Sequence, residues 1–98
     1  MSGEDGVVVQ REVEIRNDQG LHARPVMQFV DKASQFTSSV TVFKGKLSVD
    51  GKSPMEMMLL EATKGTRLTL EATGPDAEEA LEALAQLIAG GFNENSDS

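Results

Sequence analysis

The chain predicts an α+β domain, a four-stranded antiparallel sheet covered on one face by three helices in the order βαββαβα. Three observations carry this. Four short stretches present one apolar face each, two of them by clean alternation, the period of a half-buried strand. Three others place apolar residues three and four apart, one stripe of a helix each. Turn residues separate the two kinds. Such faces and stripes are all buried at once when helices cover one side of a sheet. The 98 residues make one domain, large enough for a core of its own.

Each element follows from its own residues. From Val7 to Arg16 the chain sets Val7, Val9, Val13 and Ile15 on one face, and only Arg11 interrupts that apolar side. Asn17-Asp18-Gln19-Gly20 is turn chemistry. A helix is expected from about Ala23 to Gln35, with apolar residues at 26, 29, 30 and 33 and Phe36 closing the stripe. Ser39 to Phe43 and Lys46 to Val49 read as a hairpin around Lys44-Gly45, followed by a turn at Asp50-Gly51. Ser53 and Pro54 look like N-cap and first residue of a short helix to about Leu60, with Glu56 completing a capping box. Thr66 to Thr73 alternates again, Leu68, Leu70 and Ala72 opposing Arg67, Thr69 and Glu71. Gly74-Pro75-Asp76 opens the last helix, whose stripe is Ala77, Ala80, Leu81, Leu84, Leu87 and Ile88 and whose stop is Gly90-Gly91. The expected domain spans 7–92, between a flexible tail at 1–6 and a disordered one at 93–98.

Composition excludes several classes of function. A formal net charge of -7 argues against nucleic acid, whose binders need a basic face. No run approaches the ~20 apolar residues of a membrane helix, so no membrane insertion is expected. Met1 to Gly6 has neither the basic start nor the apolar stretch of a signal peptide. With no cysteine and one histidine, disulfides and a usual zinc site are out of reach. The expected location is the cytoplasm, and the expected assembly is a monomer without cofactor or metal.

The single histidine, His22, lies in Gly20-Leu21-His22-Ala23-Arg24-Pro25, where a loop delivers an imidazole to the first turn of a helix. Pro25 suits a helix start, where its missing N–H costs nothing. The positive end of the helix dipole disfavours a charged imidazole there and favours an anion. Arg24 adds a planar guanidinium able to grip phosphate oxygens bidentately. A nucleophilic nitrogen, a phosphate cradle and a cation are what a histidine needs to be phosphorylated itself. Nothing in the chain pairs an acid with a base, which points to a phosphoryl carrier rather than a free-standing enzyme.

Three separated blocks carry a family resemblance: Gly20 to Pro25; Asp50-Gly51-Lys52-Ser53 with Met55 to Leu60 and Ala62-Thr63-Lys64-Gly65; and Leu70 to Asp76 with Glu78-Glu79-Ala80-Leu81. Over roughly residues 7 to 94 the chain resembles the HPr family, the histidine phosphocarriers of bacterial phosphotransferase systems. The resemblance implies an open-faced β-sandwich. It implies Nδ1 of His22 as the phosphorylated atom, a choice the residues alone leave open. It further implies that the backbone N–H groups of Ala23 and Arg24 cap the phosphate, with the Arg24 guanidinium as a movable clamp. The implied donor is phosphoenolpyruvate-charged Enzyme I, and the implied acceptors are Enzyme IIA-type proteins, serving sugar uptake or regulation.

Two further expectations concern the second block. Its short helix cannot bury Met55, Met57 and Met58 together with Leu59 and Leu60, so Met55 and Met58 are expected at the surface. The resemblance places this helix beside the active loop, which makes Leu21, Met27, Met55 and Met58 a candidate docking patch. Ser53 is an N-cap and, by resemblance, a regulatory phosphorylation candidate for HPr kinase/phosphorylase. Pro54 and Glu56 depart from the family pattern, and Glu56 would oppose a phosphate. Val13 to Asn17 and Leu70 to Pro75, with Glu78 to Leu81, also resemble the nitrogen-type regulatory branch. A third reading is an HPr-like binding module that carries no phosphate, which would need neither His22 nor Arg24.

Overall fold

The structure, a computed structural model, describes residues 7–93. The first strand, β1, runs Val8–Glu14, followed by helix α1 at Ala23–Ala33. The hairpin strands are β2, Ser39–Lys44, and β3, Leu47–Asp50. Helix α2 covers Pro54–Met58, strand β4 Arg67–Thr73 and helix α3 Ala77–Ala89, with a 3-10 turn at Gly91–Asn93. The four strands form one antiparallel sheet in the order β1-β4-β2-β3. This is the expected α+β architecture, an open-faced sandwich with its helices on one side.

The position of each strand explains how cleanly it alternates. Strand β4 lies between β1 and β2 and buries Leu68, Leu70 and Ala72, while Arg67, Thr69, Glu71 and Thr73 turn outward. Strand β1 is an edge, so Val9 and Val13 are only half-buried, and Ile15, just past its end, is wholly buried. Arg11, the interruption on its apolar side, reaches over α3 to the Glu82 carboxylate. The Arg11 hydrogen bond, and then that of Gln86, hold the Glu82 carboxyl below its usual range. The hairpin loop is Gly45-Lys46, one residue later than expected, because Lys44 pairs with Leu47 in the ladder.

Helix boundaries are shorter than the periodicity suggests. Helix α1 ends at Ala33, with Ser34 as its cap, rather than at Gln35, and Phe36 is half-buried just beyond it. Its buried stripe is Pro25, Val26, Phe29, Val30 and Ala33. Helix α3 buries Ala77, Ala80, Leu81, Leu84, Ala85 and Ile88, and Leu87 packs at the margin. Past Gly90 the chain turns back, and Phe92, at φ 54°, enters the core. Asn93, expected to open a disordered tail, belongs to that turn, whereas the tails at 1–6 and 94–98 lie outside the described residues.

One cross-link had no counterpart in the sequence reading. The Asp76 side chain does not cap α3; its carboxylate accepts from the Thr37 N–H at 2.9 Å, the Ser38 N–H at 2.8 Å and the Ser38 hydroxyl at 2.6 Å. The α1–β2 connection is thereby tied to the start of α3. Gly74 permits this approach: a Cβ there would lie 2.5 Å from Ser38 Oγ, at φ +141°. Among the described residues no helix is long and apolar enough to cross a membrane.

Candidate active site

The loop that presents His22 is held at both ends by the segment following α2. Upstream, the Ile15 N–H donates to Thr66 O at 2.9 Å and the Gly65 N–H to Ile15 O at 2.7 Å. Downstream, the Leu21 N–H donates to Ala62 O at 2.8 Å. Between these anchors Gly20 takes φ +70°, and a Cβ on it would meet Ala62 O at 2.4 Å. Only glycine fits so close to another backbone in the left-handed region. Asn17, legible in the sequence only as a turn residue, is wholly buried and donates from Nδ2 to Gly20 O at 2.7 Å. Its spacing three residues before a glycine was the signal available for this brace.

His22 is the N-cap of α1, half-buried and with extended backbone at φ -89°, ψ -168°. Its N–H donates to Gly20 O at 3.0 Å, and its carbonyl accepts the first helical bond, from the Val26 N–H, also at 3.0 Å. Pro25 has no N–H, so the first-turn amides without an acceptor inside the helix are those of Ala23 and Arg24. Both residues are exposed. The first turn carries no acidic side chain, so no carboxylate of this turn competes for its positive end. The Arg24 side chain belongs to that exposed surface. Among the described residues no group of three or more His, Asp or Glu side chains could hold a metal ion.

Helix α2 leads into Ala62, the residue that anchors the His22 loop. Ser53 caps it, its hydroxyl accepting from the Glu56 N–H at 3.2 Å. The reciprocal half of the expected capping box is not formed. The Ser53 N–H is already spent on Asp50 O, at 3.1 Å, and the Glu56 carboxylate accepts instead from the Asp50 N–H at 2.8 Å. The helix stops at Met58, short of Leu60, because Leu59 and Leu60 bond back three residues in a tighter turn. The Lys44 ammonium then binds Leu60 O at 2.8 Å, and Glu61, at φ 47°, redirects the chain towards Ala62.

The apolar residues divide sharply. Met57 and Leu60 are wholly buried, whereas Met55 is 82% exposed, Leu59 62%, Met27 46% and Met58 44%. Leu21 corrects the expected patch. It is 6% exposed and packed in the core, because the turn that points His22 outward drives the preceding side chain inward. It supports the loop from beneath and offers no docking surface. Leu59, unassigned in the sequence reading, is exposed at the end of α2 instead.

Comparison with known proteins bears on this arrangement directly. A family model described as the PTS HPr component phosphorylation site matches residues 9–90. The phosphocarrier protein HPr of Neisseria meningitidis is 47% identical over 87 residues, covering 89% of this chain and 98% of that protein. The HPr-like protein Crh of Bacillus subtilis is 46% identical, over 83% of this chain and 95% of its own. Among solved structures, HPr-C-His from Thermoanaerobacter tengcongensis superposes with a TM-score of 0.86 at 42% identity, covering 89% of this chain and 98% of that one. Sheet order, helix placement and sequence thus agree over nearly the whole described chain, which belongs to the HPr family of phosphocarriers of the phosphotransferase system.

Proposed function

We propose that the chain carries the phosphoryl group on Nδ1 of His22, taking it from phosphoenolpyruvate-charged Enzyme I and passing it to Enzyme IIA-type acceptors in the cytoplasm. The observation that carries this reading is the spending of amides at the start of α1. The His22 N–H is turned onto Gly20 O, Pro25 has none, and the amides of Ala23 and Arg24 remain on an exposed surface. Phosphoryl transfer asks mainly for in-line positioning and charge stabilisation. The neutral ring attacks phosphorus through its lone pair as the bond to the donor's nitrogen breaks. The two amides, the helix dipole and the Arg24 guanidinium then meet the charge on the phosphoryl oxygens. Onward transfer reverses the step, so the cradle must hold the phosphate only moderately.

Met27, Met55 and Met58 form the proposed docking surface on this reading, since exposed, adaptable thioethers suit several unlike partners. Ser53 is proposed as a cap first and as a site for HPr kinase/phosphorylase second, with Asp50 and Glu56 opposing an added phosphate. The carrier is proposed to act as a monomer; a solved relative, the HPr dimer from Thermoanaerobacter tengcongensis at 45% identity, makes sedimentation the direct check. The kinship with Crh favours one second reading, an HPr-like regulatory module, and the nitrogen-type relay is a variant with the same chemistry. Incubation with phosphoenolpyruvate and Enzyme I should give acid-labile phosphate on the chain; no labelling would decide for the regulatory module. The acceptor that removes the phosphate separates sugar uptake from the nitrogen-type branch.

A further inference from the structure

We infer that Asn17 is a positioning residue for phosphoryl transfer at His22, acting through the Gly20 carbonyl. The inference rests on His22 as the phosphoryl acceptor and adds the residue that sets the acceptor's backbone. Asn17 is wholly buried in a loop whose neighbours Asp18 and Gln19 are exposed. Its Nδ2 donates to Gly20 O at 2.7 Å, and its backbone carbonyl accepts from the Gly20 N–H at 3.1 Å. One residue therefore holds both polar groups of Gly20. The same Gly20 O accepts from the His22 N–H at 3.0 Å, so its direction fixes where that N–H points. With the His22 amide turned onto Gly20, only those of Ala23 and Arg24 face an incoming phosphate.

The chemistry of the side chain fits this task better than turn formation alone. A turn is made equally well by an exposed aspartate or serine, and burying an amide is costly unless it is bonded. What asparagine supplies here is a donor to a carbonyl without a charge. An aspartate in its place would set a carboxylate against Gly20 O and bring a negative charge under a loop that must accept a phosphate. The anchors at Ile15 and Leu21 hold the two ends of the loop; the Leu21 N–H fixes one side of the Gly20–Leu21 peptide, and Asn17 binds the carbonyl on its other side, the one that receives the His22 N–H.

The test uses the full chain with Enzyme I and phosphoenolpyruvate. Asn17→Asp is isosteric; it removes the donor and adds a negative charge, and the neutral pair Asn17→Ala and Asn17→Ser separates the two effects. Phosphoryl acceptance should lose about tenfold in kcat with KM for the carrier unchanged, because the exposed methionines are untouched. The amide resonances of His22, Ala23 and Arg24 should shift while those of β2 and β4 hold still. Asn17→Ser, which restores a neutral donor, should recover more of kcat than Asn17→Ala. If Asn17→Asp fails to fold, that Ser–Ala pair, assayed below both melting temperatures, decides by the same split. A wild-type rate per folded molecule in Asn17→Asp, or in Asn17→Ala where the aspartate variant does not fold, overturns the proposal. A rise in KM alone does the same. Failure of the underlying reading is distinct: the unaltered chain would then take no label at all, or His22→Ala would still accept acid-labile phosphate, whatever the Asn17 variants do.

Discussion

At His22 the decisive quantity is how many amides remain for a ligand once the helix has begun. Capping by extended backbone, a glycine carbonyl that absorbs one N–H and a proline that removes another leave two amides on the surface. His22→Ala should abolish labelling from phosphoenolpyruvate and leave the fold intact, since the ring makes no capping hydrogen bond to its own helix. Persistent acid-labile phosphate on that variant, read by gel mobility or phosphorus NMR, would move the acceptor elsewhere. Arg24→Lys keeps the charge and loses the planar fork, so transfer should slow on the order of tenfold at near-normal thermal stability. Equal rates in both directions would remove Arg24 from the clamp.

Helix α2 is the element where structural and functional roles are most closely interleaved. Five residues long, it cannot be stable by propensity and depends on its cap and on burial of Met57. Ser53→Ala should therefore cost about 0.5–2 kcal/mol in chemical denaturation through the lost cap. Ser53→Asp should keep the cap yet slow phosphorylation of His22 by adding charge to the proposed docking face. A stable Ser53→Asp variant with normal acceptance would leave Ser53 a purely structural residue. On the exposed side, replacing Met55 and Met58 by Glu should weaken affinity for Enzyme I while changing stability by about 0.5 kcal/mol or less. A large loss of stability at unchanged affinity would put them in the structural framework after all.

For the whole molecule, the tie between Asp76 and the 37–38 segment contributes to the acid limb of stability, as does the Arg11–Glu82 pair. Hydrogen bonds, first from the Ser38 hydroxyl and then from the Thr37 and Ser38 amides, lower the Asp76 pKa from 3.8 to about 2. Because the folded value lies below the unfolded one, this stabilisation is complete above pH 3.8, fades as pH falls and is gone below about 2. Asp76→Asn should lower stability at neutral pH and flatten its dependence on pH between those limits, as melting curves across the range would register. Unchanged slopes would show that the tie carries no net stabilisation. Phe92→Ala, by emptying a buried aromatic site, should cost about 3–5 kcal/mol in denaturant titration, although Phe92 lies beyond every regular helix.

Much of this was written in the chain. Period-two alternation in Arg67–Thr73 and the stripe of Ala77–Ala89 determined the sheet and its helical cover, because burial of an apolar face is a local pattern with a global solution. Gly20 to Pro25 determined where the helix start lies and which two amides stay on its surface, the proposed phosphate cradle, since glycine, N-cap and proline act within one turn of chain. Contacts between residues far apart in sequence had no such signature. Only the tertiary structure decided that Leu21 faces inward, that Phe92 returns to the core and that Asp76 holds Ser38 rather than capping α3. It also sent the Glu56 carboxylate to Asp50, and it buried Asn17 under the loop that presents His22. Side-chain polar groups take the partner that packing brings nearest, and packing is a property of the assembled layers rather than of any segment.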